Sequence, residues 1–119
     1  MSPQTPTKAK VDNDGSLAVI RFEGDVTSAS KEAVLGTYQR LTPETKQILL
    51  DFSKVPYLNS SGIALVIQLL MDASKTGRKV ETFGLTAHFQ KVFTMLGLTK
   101  YTRIHADEGA AKAALHNVA

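Results

Sequence analysis

The chain has 119 residues, 43% hydrophobic and 21% charged, a balance that fits one packed domain and excludes global disorder. It contains no cysteine, so disulfides, thiol catalysis and thiolate metal sites are excluded together, in keeping with a cytoplasmic location. The net charge is +3; its densest basic spots, Lys8–Lys10 and Arg78-Lys79, are short and lack interleaved aromatic residues, so nucleic acid is not an expected partner.

The opening "MSPQTPTKAK" has no apolar core of the kind a secretory signal needs. With Pro3, Pro6, Thr5 and Thr7 it is expected to form a flexible tail over residues 1–10, leaving a single domain over 11–119. No stretch approaches the ~20 apolar residues of a membrane span. The next segment, "AKVDNDGSLAVIRFEG", places the turn signal Asp12-Asn13-Asp14-Gly15 between two strand-like runs and predicts a β-hairpin. In "DVTSASKEAVLGTYQRL", Ser28 or Ser30 can cap a helix whose stripe is Val34, Leu35, Tyr38 and Leu41. Pro43 ends it.

"KQILLDFS" reads as a buried strand. After "LNSSG" a helix is predicted from about Gly62 to Ser74, stopping near Gly77. "RKVETFGL" is a further strand, and "TAHFQKVFTMLGL" a helix with Phe89, Val92, Phe93 and Leu96 on one face. "YTRIHA" is a last strand and "DEGAAKAALHNV" a closing helix, with Asp107 and Glu108 at its positive end. The order β-β-α-β-α-β-α-β-α predicts an α/β fold. After the hairpin, strands alternate with about four helices, a pattern that builds a mixed, mostly parallel sheet joined by right-handed crossovers.

Motifs for catalysis are missing. His88, His105 and His116 fall in separate elements without ligand spacing. No phosphate-cradling loop occurs, and "SSG" lacks the glycine of a nucleophile elbow. Asp51 has no obvious carboxylate partner. Asp12, Asp14, Glu23 and Asp25 lack the spacing of a calcium loop. The chain is therefore not expected to be an enzyme, nor to carry a metal or cofactor.

"VPYLNSSGIALVIQLLM" holds two serines where a strand gives way to a helix. Two readings of Ser60 stand side by side. As a helix N-cap it would accept a hydrogen bond from the amide of Gly62 or Ile63. As a phosphate acceptor it would place a charge of about −1.5 to −2 where a helix terminus tolerates it. That charge would repel a partner docked on the apolar surface beside it. The helix itself carries more apolar residues than one core-facing stripe needs, so it is either buried on both sides or in part a binding face.

The stretch "ILLDFSKVPYLNSSGIALV" resembles the signature of STAS domains, the family of bacterial anti-sigma factor antagonists. The likeness runs from about Leu17 to Leu115, through "LAVIRFEGDV" to the ending "FTMLGLTKYTRIHADEGAAKAAL". It implies a sheet of four or five strands with helices mainly on one side, and a binding protein. The serine that typical antagonists phosphorylate corresponds to Ser60, followed by Ser61 and Gly62. Leu58, Asn59, Ser61, Gly62 and Ile63, with Asp25 and Thr27 of the earlier loop, would form the partner-binding edge. Asn59 stands where the family usually has Asp, and Thr27 where many members carry an acid. The implied partners are an anti-sigma factor that is also a serine kinase, and a serine phosphatase. A homodimer of this chain is also allowed for, and no membrane insertion is expected. Other STAS proteins serve as subunits of signalling scaffolds or transporters, or as small-ligand modules, and those uses need no sigma factor.

Overall fold

The computed structural model of the chain describes residues 5–116. Residues 1–4 of the expected tail, and the Asn117 and Val118 assigned to the closing helix, lie outside them. Strand β1 (Lys8–Asp14) and strand β2 (Leu17–Glu23) form the expected hairpin. The turn is tighter than predicted. Asp12, Asn13 and Asp14 belong to the strand, and the loop is Gly15-Ser16 alone, with Gly15 at a positive φ of 62°. A two-residue loop needs that conformation at its first position to match the twist of the strands. The ordered domain also starts before residue 11. Lys8–Lys10 pair with Glu23–Arg21, and the Asp25 N–H donates to the Thr5 carbonyl at 3.1 Å. Sheet pairing overrides the loop-like composition of this segment.

The first helical region differs from expectation as well. It consists of a 3-10 turn (Ser28–Ser30), a π-helical turn (Glu32–Gly36) and a short α1 (Thr37–Gln39). Its cap is Thr27, not Ser28 or Ser30. The Thr27 hydroxyl accepts from the Ala29 amide, and Ser30 Oγ accepts in return from the Thr27 amide at 2.8 Å. Val34, Leu35, Gly36, Thr37 and Tyr38 are all buried. Five consecutive buried positions exceed one α-helical stripe, and the wider π turn accommodates them.

Strand β3 (Gln47–Lys54), α2 (Ser60–Lys75), β4 (Lys79–Phe83), α3 (Ala87–Met95), β5 (Thr102–His105) and α4 (Glu108–His116) complete the order. The sheet has five strands in the sequence β1-β2-β3-β4-β5. The β1–β2 pair is antiparallel and the others are parallel. Ile20, Phe22, Ile48, Leu50, Phe52 and Val80 cover one face and pack against the first helical region, α2 and α3. The opposite face carries Val19, Leu49 and Phe83, which pack against Ala111 and Leu115 of α4. The helices thus lie mainly on one side, as predicted. Leu96, expected on one helical face with Phe89, Val92 and Phe93, is 53% exposed; it follows the last helical residue, where Gly97 turns the chain away.

Candidate functional site

Three loops converge at the carboxyl ends of the parallel strands, where open α/β sheets place their sites. The first, Gly24–Thr27, follows β2. The second, Val55–Asn59, follows β3. They clasp each other through backbone bonds. The Val26 amide donates to the Tyr57 carbonyl at 3.0 Å, and the Asn59 amide donates to the Val26 carbonyl at 3.1 Å. Gly62 makes the approach possible, because a Cβ there would stand 2.0 Å from the Val26 carbonyl oxygen. The third loop, after β4, leads into α3. Its Thr86 hydroxyl caps that helix. Phe89 of α3 meets the Tyr57 ring edge-on, with centroids 6.3 Å apart.

Helix α2 starts at this clasp. Asn59 is its N-cap, and its Oδ1 accepts the Gly62 amide at 2.8 Å. The capping role considered for Ser60 therefore belongs to Asn59, and the amide side chain does there what an aspartate would do, without the charge. Ser60 and Ser61 occupy the first turn and both are exposed. Among the described residues neither hydroxyl and neither amide of this pair enters a hydrogen bond. The first turn contains no acidic residue, so nothing on the helix offsets its positive end.

The other predicted site residues divide sharply by burial. Leu58 (2%), Thr27 (5%) and Ile63 (9%) are buried, and so is Gly62. They hold the corner from beneath rather than face a partner. Thr27 is withdrawn because it caps the 3-10 turn. Asn59 and Asp25 are half-buried, and the Asp25 carbonyl accepts the Thr7 hydroxyl at 2.6 Å. The outward surface consists of Ser60, Ser61, Pro56, Ala64 and Gln68, with Tyr57 47% exposed. Most apolar residues of α2 point inward: Ile63, Leu65, Val66, Leu69, Leu70 and Ala73 are buried, while Ala64 and Met71 are exposed.

The sequence missed a second polar centre, beneath α4. Arg21 of β2 stands directly opposite Asp51 of β3 in the ladder. Its guanidinium reaches Asp51 at 3.0 Å, Glu108 of α4 at 3.0 and 3.2 Å, and Asp12 of β1 at 2.6 Å. Glu108 first, then Asp12, raise the Arg21 pKa further. In return Arg21, with help from Lys112, holds the Glu108 carboxyl down at about 2. Glu81, 4% exposed, accepts from Arg103 at 3.1 Å and lies 2.6 Å from His105. Alternation along each strand could have placed these charges on one face, but only the register makes them partners. Among the described residues, no group of His, Asp or Glu is arranged to hold a metal ion, and no helix is long and apolar enough to cross a membrane.

Comparison with known proteins agrees with this architecture. The SpoIIAA anti-sigma factor antagonist in its unphosphorylated form superposes with a TM-score of 0.72 at 16% identity, over 92% of this chain and 99% of that one. An anti-sigma factor antagonist from Mycobacterium paratuberculosis superposes at 0.75 with 15% identity, over 94% and 96% of the two chains. A sulfate transporter family protein from Wolinella succinogenes superposes at 0.69 with 12% identity, over 83% and 84%. At such identities the likeness is one of fold. The family model described as "Mlab, STAS domain" matches residues 9–105. Spanning both the clasped corner and the sheet that carries it, that match makes this chain a member of the STAS domain family.

Proposed function

We propose that the α2 corner is a docking site for a protein partner and that the chain acts as an anti-sigma factor antagonist switched at Ser60. With Ser60 free, the corner engages an anti-sigma factor that is also a serine kinase. The kinase transfers the γ-phosphoryl group of ATP to Ser60 Oγ and releases ADP, and a serine phosphatase later hydrolyses the phosphate. One observation carries this reading: an exposed hydroxyl in the first turn of α2, above a corner whose scaffold is buried and hydrogen-bonded. A phosphate there is stabilised by the helix terminus and by the unpaired amides of the first turn. The fold can carry it without rearrangement. A partner seated against Tyr57 and Ala64 would instead have to desolvate about two negative charges, which opposes binding. The likeness to an antagonist described in its unphosphorylated form supports the same assignment.

The test is incubation with candidate anti-sigma kinases and ATP, followed by phosphopeptide mass spectrometry, with binding of Ser60→Ala and Ser60→Asp measured in parallel. The expected result is phosphate on Ser60, full binding by the alanine variant and at least a tenfold loss by the aspartate variant. Equal binding by both variants would remove the charge mechanism, and phosphate on Ser61 alone would move the site by one residue.

A second reading, a STAS subunit of a transporter complex, is favoured by the likeness in fold to a sulfate transporter family protein. It predicts a constitutive complex with permease or ATPase subunits, formed through the same corner and indifferent to Ser60→Asp.

A further inference from the structure

Among the described residues, strand β1 lies at the edge of the sheet and pairs only with β2. A two-residue hairpin loop is closed by a hydrogen-bonded pair, here Asp14 and Leu17, and such pairs alternate along an antiparallel ladder. Asp12 and Lys10 therefore spend their backbone groups on β2, while Ala9, Val11 and Asn13 aim theirs outward. Among the described residues those outward groups meet no partner. A seven-residue open edge is long for a feature that proteins usually cover or break.

The side chains of "KAKVDND" add a symmetry. Two cations precede Val11 at alternate positions, and two anions follow it at the mirrored positions. Lys8, Lys10, Asp12 and Asp14 are exposed and share the face turned toward α4, as the Asp12–Arg21 bond shows. Lys10 stands directly opposite Arg21 in the hairpin, a like-charge pair. Among the described residues Lys8, Lys10 and Asp14 enter no ion pair. On the other face of β1, half-buried Ala9 and Val11 line an open cavity of about 290 Å³ with Leu41 and Arg40.

We propose that β1 is a homodimerisation edge, on which two copies pair antiparallel about a two-fold axis at Val11 to form one continuous ten-stranded sheet. Each Lys10 then faces the partner's Asp12, and each Lys8 the partner's Asp14. The outward groups of Ala9, Val11 and Asn13 meet each other in hydrogen-bonding register. Lys10 and Asp12 fall in the closely spaced, non-bonded positions where side chains interact most. Charge also selects this register. Shifting by one hydrogen-bonding step in either direction sets Lys10 against Lys10 or Asp12 against Asp12, and parallel pairing sets lysine against lysine. The occupant for which this edge is complementary is thus a second copy of the same chain. The proposal does not depend on the role of Ser60.

Sedimentation of the full chain over a concentration series tests it, using two charge-reversed variants, Lys8→Asp/Lys10→Asp and Asp12→Lys/Asp14→Lys. The wild type is expected to dimerise, more weakly as salt rises. Each variant alone is expected to lose at least tenfold in dimer affinity, and an equimolar mixture of the two to recover a heterodimer. A wild type that stays monomeric throughout the series, or variants that dimerise undiminished, would overturn the proposal. Should either variant fail to fold by circular dichroism, amide exchange of the wild type decides. Protection at Ala9, Val11 and Asn13 should rise with concentration while Lys10 and Asp12, already bonded to β2, stay constant. A footprint on β5 or α3, or none on β1, would equally dispose of the two-fold pairing.

Discussion

The two faces of the sheet are held by different forces. Toward α2 and α3 the contact is a broad apolar core in which Phe22 stacks on Phe52 at 5.2 Å between ring centroids and Phe52 meets Phe93 edge-on at 6.0 Å. Toward α4 the apolar contact shrinks to Val19, Leu49, Phe83, Ala111 and Leu115. Ion pairs from Arg21, Asp51, Glu108, Glu81 and Arg103 flank it. The candidate site is built on the first face. Burial of apolar area scarcely depends on salt or pH, whereas partly exposed charge pairs depend on both. The corner should therefore stay formed under conditions that loosen α4.

The strongest way to break the contrast is Phe93→Ala. Phe93 is fully buried, and its loss should cost about 3–5 kcal/mol, read as a large fall in the midpoint of urea unfolding. A cost below about 1 kcal/mol would mean that this face is not the main source of stability. Next comes Gly62→Ala. The added methyl would collide with the Val26 carbonyl, so the clasp must open, at about 2–3 kcal/mol. Loss of partner binding should accompany the loss of stability. A variant of native stability that still binds would show that the clasp is unnecessary.

Glu108→Gln sharpens the comparison on the α4 side. Glu108 sits at about 2 in the folded chain against 4.5 ordinarily. The unfolded chain therefore takes up the proton first as pH falls. Its contribution is fully present above pH 4.5 and disappears between 4.5 and about 2. The wild type should lose stability over that window more steeply than the variant. At neutral pH the variant should be weaker by about 1 kcal/mol, less in high salt, with faster amide exchange confined to α4. Parallel acid unfolding curves for the two proteins would argue against this role. Ser60→Asp is the smallest perturbation. A negative charge in the first turn of α2 should be neutral or stabilising by about 0.5 kcal/mol, whatever it does to binding. Thermal destabilisation by Ser60→Asp would contradict the view that the corner accepts charge without rearranging.

Much of this was legible in the sequence. The order of strands and helices follows from periodicity and from turn residues such as Gly15, Gly77 and Gly97, whose positive φ values mark the ends of elements. The serine pair at the head of α2 was also legible as the start of a helix, because polar residues ahead of an apolar run mark such a terminus. The misplaced caps show where such reasoning stops. Asn, Ser and Thr all accept amide hydrogen bonds, so Thr27 and Asn59 could not be told from Ser28 and Ser60 until the backbone entered each helix.

By itself, then, the sequence determined the α/β class, the hairpin and the presence of a hydroxyl at a helix terminus, all set by neighbours within a few positions of one another. Only the tertiary structure decided which polar residues face outward and which lie beneath the corner. It alone brought Arg21 to Asp51 and Glu108, and Val26 to Gly62, because strand register and loop contact join residues tens of positions apart. No local pattern encodes that register; it comes from packing both faces of the sheet at once.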